Sequence, residues 1–302
     1  MADSDLRAKY GPIEYDAVRR VQAQGFEQRL ARLNRLDPHF ARLWLDFTAN
    51  MTQRPALDGR TRFLVLVGQF TMTRSHDLLA DTIRAALTAG IKAREVLEII
   101  LQCVCYGGYA TIEPAVKTFH AIAEELNLLE ELEASQLPLD GNDSARSYEE
   151  ESKTWKPEDL ADPRCADLME RHGWRAVGRG LTMRPGHHLK VLAWHDAMDA
   201  EWAGLWVKFG YGGMYARGIV DDKTRLLCMV GDCVAVGEAT EGRAHMRGAL
   251  RAGATPHEVF EVIIQSKLNF GAPPTMKALK VFVEIMAEEG RLDEIGNPPS
   301  RE

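Results

Sequence analysis

The sequence is poor in cysteine, in long apolar runs and in clustered basic residues. Only 5 of its 302 residues are cysteines, and no two form a C-x-x-C motif, which argues against a disulfide framework, a zinc knuckle or a dithiol redox centre. No apolar run approaches the roughly 18–20 residues that span a bilayer. A net charge of −7 without a basic block disfavours nucleic-acid binding. The charged first residues lack an apolar signal segment, so we expect a cytoplasmic enzyme or binding protein.

The chain contains two copies of one unit. Shifted by 163 residues, the segment 58–131 aligns without a gap with 221–294, and 24 of the 74 aligned positions are identical. A match of this length without a gap indicates a tandem duplication. We expect a first repeat at 1–135, a linker at 136–163, which is rich in acidic residues, Ser and Pro, and a second repeat at 164–302.

Each repeat core predicts four helices and no strand, so we expect an all-α fold. The first two are predicted at 61–72 and 77–89 in the first repeat, and at 224–236 and 238–251 in the second. The second helix of each repeat ends shortly before a glycine, Gly90 or Gly253. The third begins in the second repeat with Thr255-Pro-His-Glu258, a capping box. The fourth is predicted at 115–129 and 276–289.

One helix carries polar residues that only the second repeat has. Glu238, Glu241 and His245 follow i, i+3, i+7 spacing, which puts them on one stripe. The first repeat has Ser75, Leu78 and Thr82 at the matching positions, and these cannot perform proton chemistry near neutral pH. A histidine beside carboxylates would have a raised pKa and could donate a proton. The alternative is a solvated stripe with a half-buried histidine.

Two further groups of residues are open to a functional or a structural reading. Glu261 and Gln265, one turn apart in an apolar helix, could orient a site or bond across helices, and their presence in both repeats favours the second role. Asn269 continues this stripe and could line a pocket or cap the helix. Arg217 and Arg225 could bind a substrate carboxylate, or could pair with acidic residues across an interface.

No cofactor or metal motif is present. The sequence has no Walker loop, no nucleophile elbow and no dinucleotide fingerprint. His187, His188 and His195 lack metal-ligand spacing, so we predict neither a metal nor a cofactor.

Several short motifs recur together in both repeats. In the second repeat they are the runs Arg217-Gly-Ile-Val-Asp-Asp-Lys-Thr-Arg225, His245-Met-Arg-Gly-Ala-Leu-Arg-Ala-Gly253, Glu258-Val-Phe-Glu261 and Asn269-Phe-Gly-Ala-Pro273. The first repeat is similar through 54–62, 84–90, 95–98 and 106–108. This combination resembles the carboxymuconolactone decarboxylase family, which is related to the alkylhydroperoxidase D-like proteins.

The resemblance implies an all-helical, cofactor-free fold that assembles into rings, so that three tandem chains would form a pseudo-hexamer. Peroxidase relatives use C-x-x-C-x-x-x-H, whereas Glu238 and Glu241 replace both cysteines here and only His245 remains. We therefore expect no thiol peroxidase.

The resemblance further implies a decarboxylase that acts on a small carboxylated lactone or a related anionic ring-cleavage product of aromatic catabolism. His245 would donate the proton, Glu241 or Glu238 would orient it, and Arg217 or Arg225 would bind the carboxylate, with Glu261 and Asn269 at the substrate. The alternatives are a lactone hydrolase or isomerase on the same scaffold, and a non-catalytic ring-forming binding protein.

Overall fold

The computed structural model describes residues 3–139 and 146–296, and it confirms the all-α fold. No strand occurs in these residues, and none of their helices is long and apolar enough to cross a membrane. The helices of the first half are α1 (Asp3–Tyr10), α2 (Pro12–Leu36), α3 (Pro38–Thr52), α4 (Gly59–Met72), α5 (His76–Thr88), α6 (Ala93–Gln102), α7 (Val104–Gly107), α8 (Tyr109–Glu125) and α9 (Leu129–Ala134).

The second half follows the same plan. In each half we call the segment before the first core helix the lead-in (residues 3–57 and 146–220), and the second lead-in is divided into more and shorter helices. Its helices are α10 (Tyr148–Ser152), α11 (Pro157–Leu160), α12 (Arg164–His172), α13 (Trp174–Met183), α14 (His188–Met198), α15 (Ala200–Val207), α16 (Asp222–Ala235), α17 (Ala239–Arg251), α18 (Pro256–Phe270) and α19 (Ala272–Glu288). A π-helical turn at Lys208–Gly213 and 3₁₀ turns at Met214–Ala216 and Leu292–Ile295 complete it.

The two repeats match helix by helix, which confirms the tandem duplication. Helices α4, α5 and α8 correspond to α16, α17 and α19, and α6 with α7 corresponds to the unbroken α18. The turns match as well: Gly90 and Gly253 both have a positive φ, 85° and 92°. Arg74 has a φ of 55° where its counterpart Gly237 has 77°, so the backbone conformation is kept even without glycine.

The first two helices of each core lie within two residues of their predicted limits. Helices α4 and α16 begin earlier than predicted because Asp58 and Asp221 cap them, each accepting a hydrogen bond at 2.9 Å from the backbone N–H of a threonine three residues on. The predicted capping box of Thr255 and Glu258 is confirmed at the start of α18.

The fourth helix of each core starts earlier and ends earlier than predicted. Helix α19 begins at Ala272, and its first turn includes two prolines, which is tolerated because N–H groups there have no partner within the helix. Helix α8 ends at Glu125 because Asn127 takes a left-handed conformation, with a φ of 56°.

Helices α4 and α16 cross at the centre of the molecule and join the two repeats. A Cβ at Gly231 would lie 2.7 Å from Cγ1 of Val65 in the other repeat, so the backbones can approach only because this position is glycine. Gly68, the counterpart of Gly231, likewise packs against the side chain of Asp232. The two repeats therefore share one apolar core.

Residues 146–163, within the predicted linker, fold onto the second repeat. Trp155 is buried, and the buried carboxylate of Glu151 accepts hydrogen bonds from Arg179 and Thr182. Arg146 forms an ion pair with Asp222 at 2.9 Å. This segment is therefore part of the packed structure next to α13.

The lead-ins also share a helix start that lies outside the 74 positions aligned at a shift of 163 residues. Asp37 caps α3 through the backbone N–H of Phe40, and Asp199 caps α15 through that of Trp202, each at 2.9 Å. The sequences that follow these aspartates match at a shift of 162 residues. A one-residue change in spacing between the lead-in and the core hides this part of the duplication.

Candidate active site between the repeats

A buried ion pair crosses the repeat interface. Glu98 of α6 accepts a hydrogen bond from Nη2 of Arg225 in α16 at 2.7 Å and another from Nε of Arg217 at 2.9 Å. Arg225 also donates to Oε1 of Gln102 at 3.1 Å. Both Glu98 and Arg225 are completely buried, so each charge depends on the other for compensation.

The same arrangement recurs with the repeats exchanged. Glu261 of α18 accepts hydrogen bonds from Arg54 at 2.8 Å and from Arg62 at 3.3 Å, and Arg62 also donates to Gln265 at 2.9 Å. These contacts relate the repeats by an approximate twofold symmetry. They confirm that Glu261 and Gln265 bond across helices.

The ion pairs change the roles expected of two arginines. Arg225 has its guanidinium bound to Glu98 and Gln102 in a position without solvent access, so the expectation that it binds a substrate carboxylate is wrong. Arg217 donates to the same Glu98 and takes part in the same pair. The alternative reading of these arginines, pairing across an interface, describes what the structure shows.

His245 lies in α17, fully buried between the repeats. Its Nε2 is hydrogen-bonded to the hydroxyl of Tyr106 at the end of the first repeat's third helix. The two rings meet edge to face, with 5.5 Å between centroids and 89° between planes. Nδ1 of His245 is buried without a protein partner. The histidine of one repeat and the tyrosine of the other therefore form one polar pair.

The environment of this pair is mainly aromatic and includes the cation of Arg184. Tyr211 and Tyr215, from the irregular turns after α15, are buried beside Tyr106, with 5.4 Å between their own ring centroids. Arg184, at the end of α13, lies close enough to Tyr106, Tyr211 and His245 to act on all three electrostatically. A buried guanidinium among phenols and an imidazole is an arrangement that can hold an anion.

Burial sets the protonation of the site. Desolvation, with the positive charge of Arg184 second, lowers the pKa of His245 well below its ordinary value. Burial likewise raises the pKa of Tyr106 well above its ordinary value. The expected upward shift of His245 is therefore wrong: near neutral pH the free protein holds a neutral imidazole beside a neutral phenol.

The two glutamates of the stripe do not orient His245. Glu238 is exposed at the N-cap position of α17, and Glu241, with 47% of its side chain exposed, accepts a hydrogen bond from Arg184 at 2.7 Å. The stripe runs from solvent into the core, so its first two residues face water while its third is buried. The partner that orients His245 is Tyr106, and Glu241 reaches the site only through Arg184.

Asn269 belongs to the opposite face of the molecule. It is the counterpart of Tyr106 and lines a cavity with Thr82, the counterpart of His245. Each repeat interface therefore pairs the second helix of one repeat with the third helix of the other. The difference between Asn269 and Tyr106 is visible in the sequence, but assigning the tyrosine to His245 requires knowledge of this exchange.

The remaining histidines do not form a metal site. His188 is buried against Tyr211, with 4.4 Å between ring centroids, and burial lowers its pKa to about 3. His187 is exposed. Within residues 3–139 and 146–296, no group of three or more His, Cys, Asp or Glu side chains could hold a metal ion.

Two known relatives each match less than a third of the chain. Over 94 residues the chain is 38% identical to an uncharacterised 15.0 kDa protein from the nqo9–nqo10 intergenic region of Paracoccus denitrificans, which covers 30% of this chain and 67% of that protein. Over 83 residues it is 28% identical to 4-carboxymuconolactone decarboxylase of Acinetobacter baylyi, which covers 28% of this chain and 62% of that protein. The chain thus spans about two thirds of the length of one relative and less of the other.

The family match is broader than either pairwise match. The carboxymuconolactone decarboxylase family model matches residues 38–121 and residues 200–284, one segment in each repeat and together just over half of the chain. These segments contain α3 to α7 and α15 to α18 in full and most of α8 and α19, and with them Tyr106 and His245. The chain belongs to the carboxymuconolactone decarboxylase family and contains its unit twice.

Proposed function

We propose that the protein is a decarboxylase that acts on a small carboxylated lactone or a related ring-cleavage product of aromatic catabolism, with one active site at His245. The observation that carries the proposal is the pair formed by the buried His245 and the half-buried Tyr106, beside the buried Arg184. Membership of the family, and the similarity to a protein named 4-carboxymuconolactone decarboxylase, support the reaction class. No step of this reaction requires a cofactor.

The reaction needs a group that accepts electrons and a group that supplies a proton. The bond between the ring carbon and the carboxylate breaks, CO₂ leaves, and its electron pair moves into the conjugated lactone carbonyl as an enolate. The enolate then collapses, and its carbon takes a proton. A closed site that orients the substrate and offers fixed hydrogen-bond donors lowers the barrier to both steps.

We assign substrate binding to Arg184. Its protein partner, Glu241, is half exposed, so a substrate carboxylate or lactone oxygen can take its place on the guanidinium. Arg184 itself is only 7% exposed, which makes a charge-assisted hydrogen bond to it strong. Such an exchange brings the substrate next to His245 and Tyr106.

We assign proton delivery to the Tyr106–His245 pair. The imidazole is neutral in the free protein because of burial and the nearby Arg184. A bound anion offsets that positive charge and raises the pKa of His245. The imidazole can therefore take up a proton from solvent when the substrate binds, and it can deliver this proton to carbon. Thr82 cannot do this in the first repeat: its hydroxyl donates to the carbonyl of Leu78 at 2.7 Å and does not titrate near neutral pH.

The test is a panel of carboxylated lactones and their decarboxylated counterparts, monitored for CO₂ and for ring opening. Release of CO₂ from a carboxylated lactone, lost in His245→Ala, supports the proposal. Ring opening or isomerisation without CO₂ would replace it by a hydrolase or an isomerase. Binding without any turnover would replace it by a non-catalytic binding protein.

We also propose that three chains assemble into a ring. Helix α3 exposes Phe40, Leu43 and Phe47, and the matching residues Trp202, Leu205 and Phe209 are exposed on the second repeat, each between 43% and 62%. We call these two sets the apolar rows. Single exposed apolar residues are ordinary, but two matching rows indicate contact surfaces.

The charges beside the apolar rows favour contact between unlike rows. Asp46 lies beside the first row, and its counterpart beside the second row is Lys208. A first row placed on the second row of another chain brings these opposite charges together. Such head-to-tail contacts close into a ring when the rotation between neighbouring chains permits it.

A further inference from the structure

The first repeat has a groove at the position that corresponds to the His245 site. Helices α2, α3, α5 and α18 border an outer groove of about 410 Å³, and the same helices together with α4 border an inner cavity of about 20 Å³. Four residues line both, so the two spaces adjoin: Gln22, Arg29, Leu78 and Asn269. Thr82 lies at the inner cavity, where the second repeat has His245.

The outer groove is apolar on its walls and positive at one side. Leu33, Trp44 and Leu78 supply aromatic and aliphatic surface, and Phe40, which also belongs to the first apolar row, lines the groove as well. No carboxylate lines this groove among the residues that the structure describes, whereas Arg29 and Arg32 both do. The two arginines are one turn apart on α2 and therefore lie on the same face of that helix.

The two arginines differ in what already holds them. Arg29 forms an ion pair with Asp81 at 2.6 Å, which neutralises it in part. Arg32 is exposed and has no ion-pair partner within the described residues. The groove consequently keeps a net positive charge next to its aromatic wall.

The inner cavity has hydrogen-bond donors that the protein leaves unused. Gln265 is 4% exposed, and its Nε2 has no acceptor, although its Oε1 is bound to Arg62. Nε of Arg29 is also buried without an acceptor. Buried donors without acceptors are costly, and the cavity of about 20 Å³ has room for one water-sized group that brings an oxygen to them.

We propose that the groove of the first repeat binds a small aromatic carboxylate without turning it over. The carboxylate lies between Arg32 and Arg29, and the ring lies on Trp44 and Leu78. Thr82 provides no acid or base at neutral pH, so the ligand is held and released unchanged. The site is separate from the one at His245 and does not depend on the reaction assigned there.

The experiment is calorimetric titration of the full chain with 3-phenylpropionate, with its neutral amide, 3-phenylpropanamide, as the ligand control. The acid is expected to bind more tightly than the amide. Arg32→Gln is expected to weaken binding of the acid by roughly tenfold or more, as for a lost charged hydrogen bond. Arg20→Gln, the same change at another exposed arginine of α2 that lies outside the groove, is the matched control and should bind as the unaltered protein does.

A second variant separates this groove from the His245 site. His245→Ala should still bind one equivalent of 3-phenylpropionate with unchanged affinity, and ligand should still raise its thermal midpoint. Equal binding of acid and amide, undiminished binding by Arg32→Gln, or loss of all binding in His245→Ala would each overturn the proposal. Because none of these readouts is turnover, a failure here is distinguishable from a failure of the proposed decarboxylase.

Discussion

The hydroxyl of Tyr106 in the first repeat is hydrogen-bonded to Nε2 of His245 in the second. The first repeat thus completes the site of the second even though its own position for the histidine holds Thr82. A single repeat of this chain could not form the pair alone. The proposed activity should therefore require both repeats.

Tyr106→Phe should reduce turnover of the substrate found in the panel by about 10²-fold, since it removes the hydroxyl that positions and shares the proton of His245. Steady-state kinetics will show the loss mainly in kcat. Asn269→Ala is the matched control, because Asn269 occupies the same position in the other repeat and lines the opposite cavity. Equal losses in the two variants would contradict the assignment of the site to one face.

His245→Ala should lower turnover by roughly 10²–10⁴-fold if the imidazole delivers the proton. Thr82→Ala changes the corresponding position and should leave turnover near that of the unaltered protein. The comparison is made on folded samples matched by circular dichroism. Near-normal activity of His245→Ala would remove the histidine from the mechanism, and a large loss in Thr82→Ala would mean that the first repeat takes part in the reaction.

The repeat pattern made much of this fold predictable, while burial and pairing made the site less so. The capping box of Thr255 and Glu258 depends on neighbours within one turn, so the sequence is sufficient to place it. Local spacing also puts Glu241 and His245 on one stripe, but it does not show that the stripe enters the core. The direction of the pKa shift of His245 depends on that burial, and it was predicted with the wrong sign.

The exchange of helices between repeats is the other feature that spacing does not show. Asn269 follows His245 on the same repeat, so the sequence places the two together, whereas the fold places Tyr106 there. Arg184 lies in the second lead-in, outside the segments 58–131 and 221–294 that align with each other. Only the tertiary contact of α13 with α17 brings it to the site.

Arg225→Met should destabilise the protein by roughly 3–5 kcal/mol, because it removes the fully buried partner of Glu98. Urea unfolding measures the loss. Adding Glu98→Gln should recover part of it, since it removes a buried carboxylate that only the partly exposed Arg217 would then compensate. A variant as stable as the unaltered protein but with a raised KM would instead restore Arg225 as a substrate ligand.

The stability of the protein should fall as pH decreases below about 6.5, in part because of buried neutral histidines. Burial lowers the pKa of His188 from 6.5 to about 3, so between these values the unfolded chain binds a proton that the folded chain does not. Each such group costs up to about 1.4 kcal/mol per pH unit in that range. His188→Asn should therefore reduce the slope of unfolding free energy between pH 6 and pH 4.5.

The matched control for this slope is His120→Asn, which changes an exposed histidine beside Glu124. It should leave the pH dependence almost unchanged, because the side chain of His120 is 59% exposed on the surface and is not part of the buried core. An identical slope in the unaltered protein and in His188→Asn would show that His188 is charged in the folded state, contrary to its burial.

The mass of the assembly in solution tests the proposed ring. Light scattering should give about three times the chain mass of 33.8 kDa. Leu43→Glu and Leu205→Glu each place a charge within one apolar row, and either should suffice to dissociate the ring, since every contact uses one row of each kind. Ile13→Glu changes an apolar residue that is 69% exposed outside the rows and should leave the mass unchanged. If Leu43→Glu stopped at a dimer while Leu205→Glu gave monomers, the second rows would be pairing with each other, and the contact would be a closed twofold one.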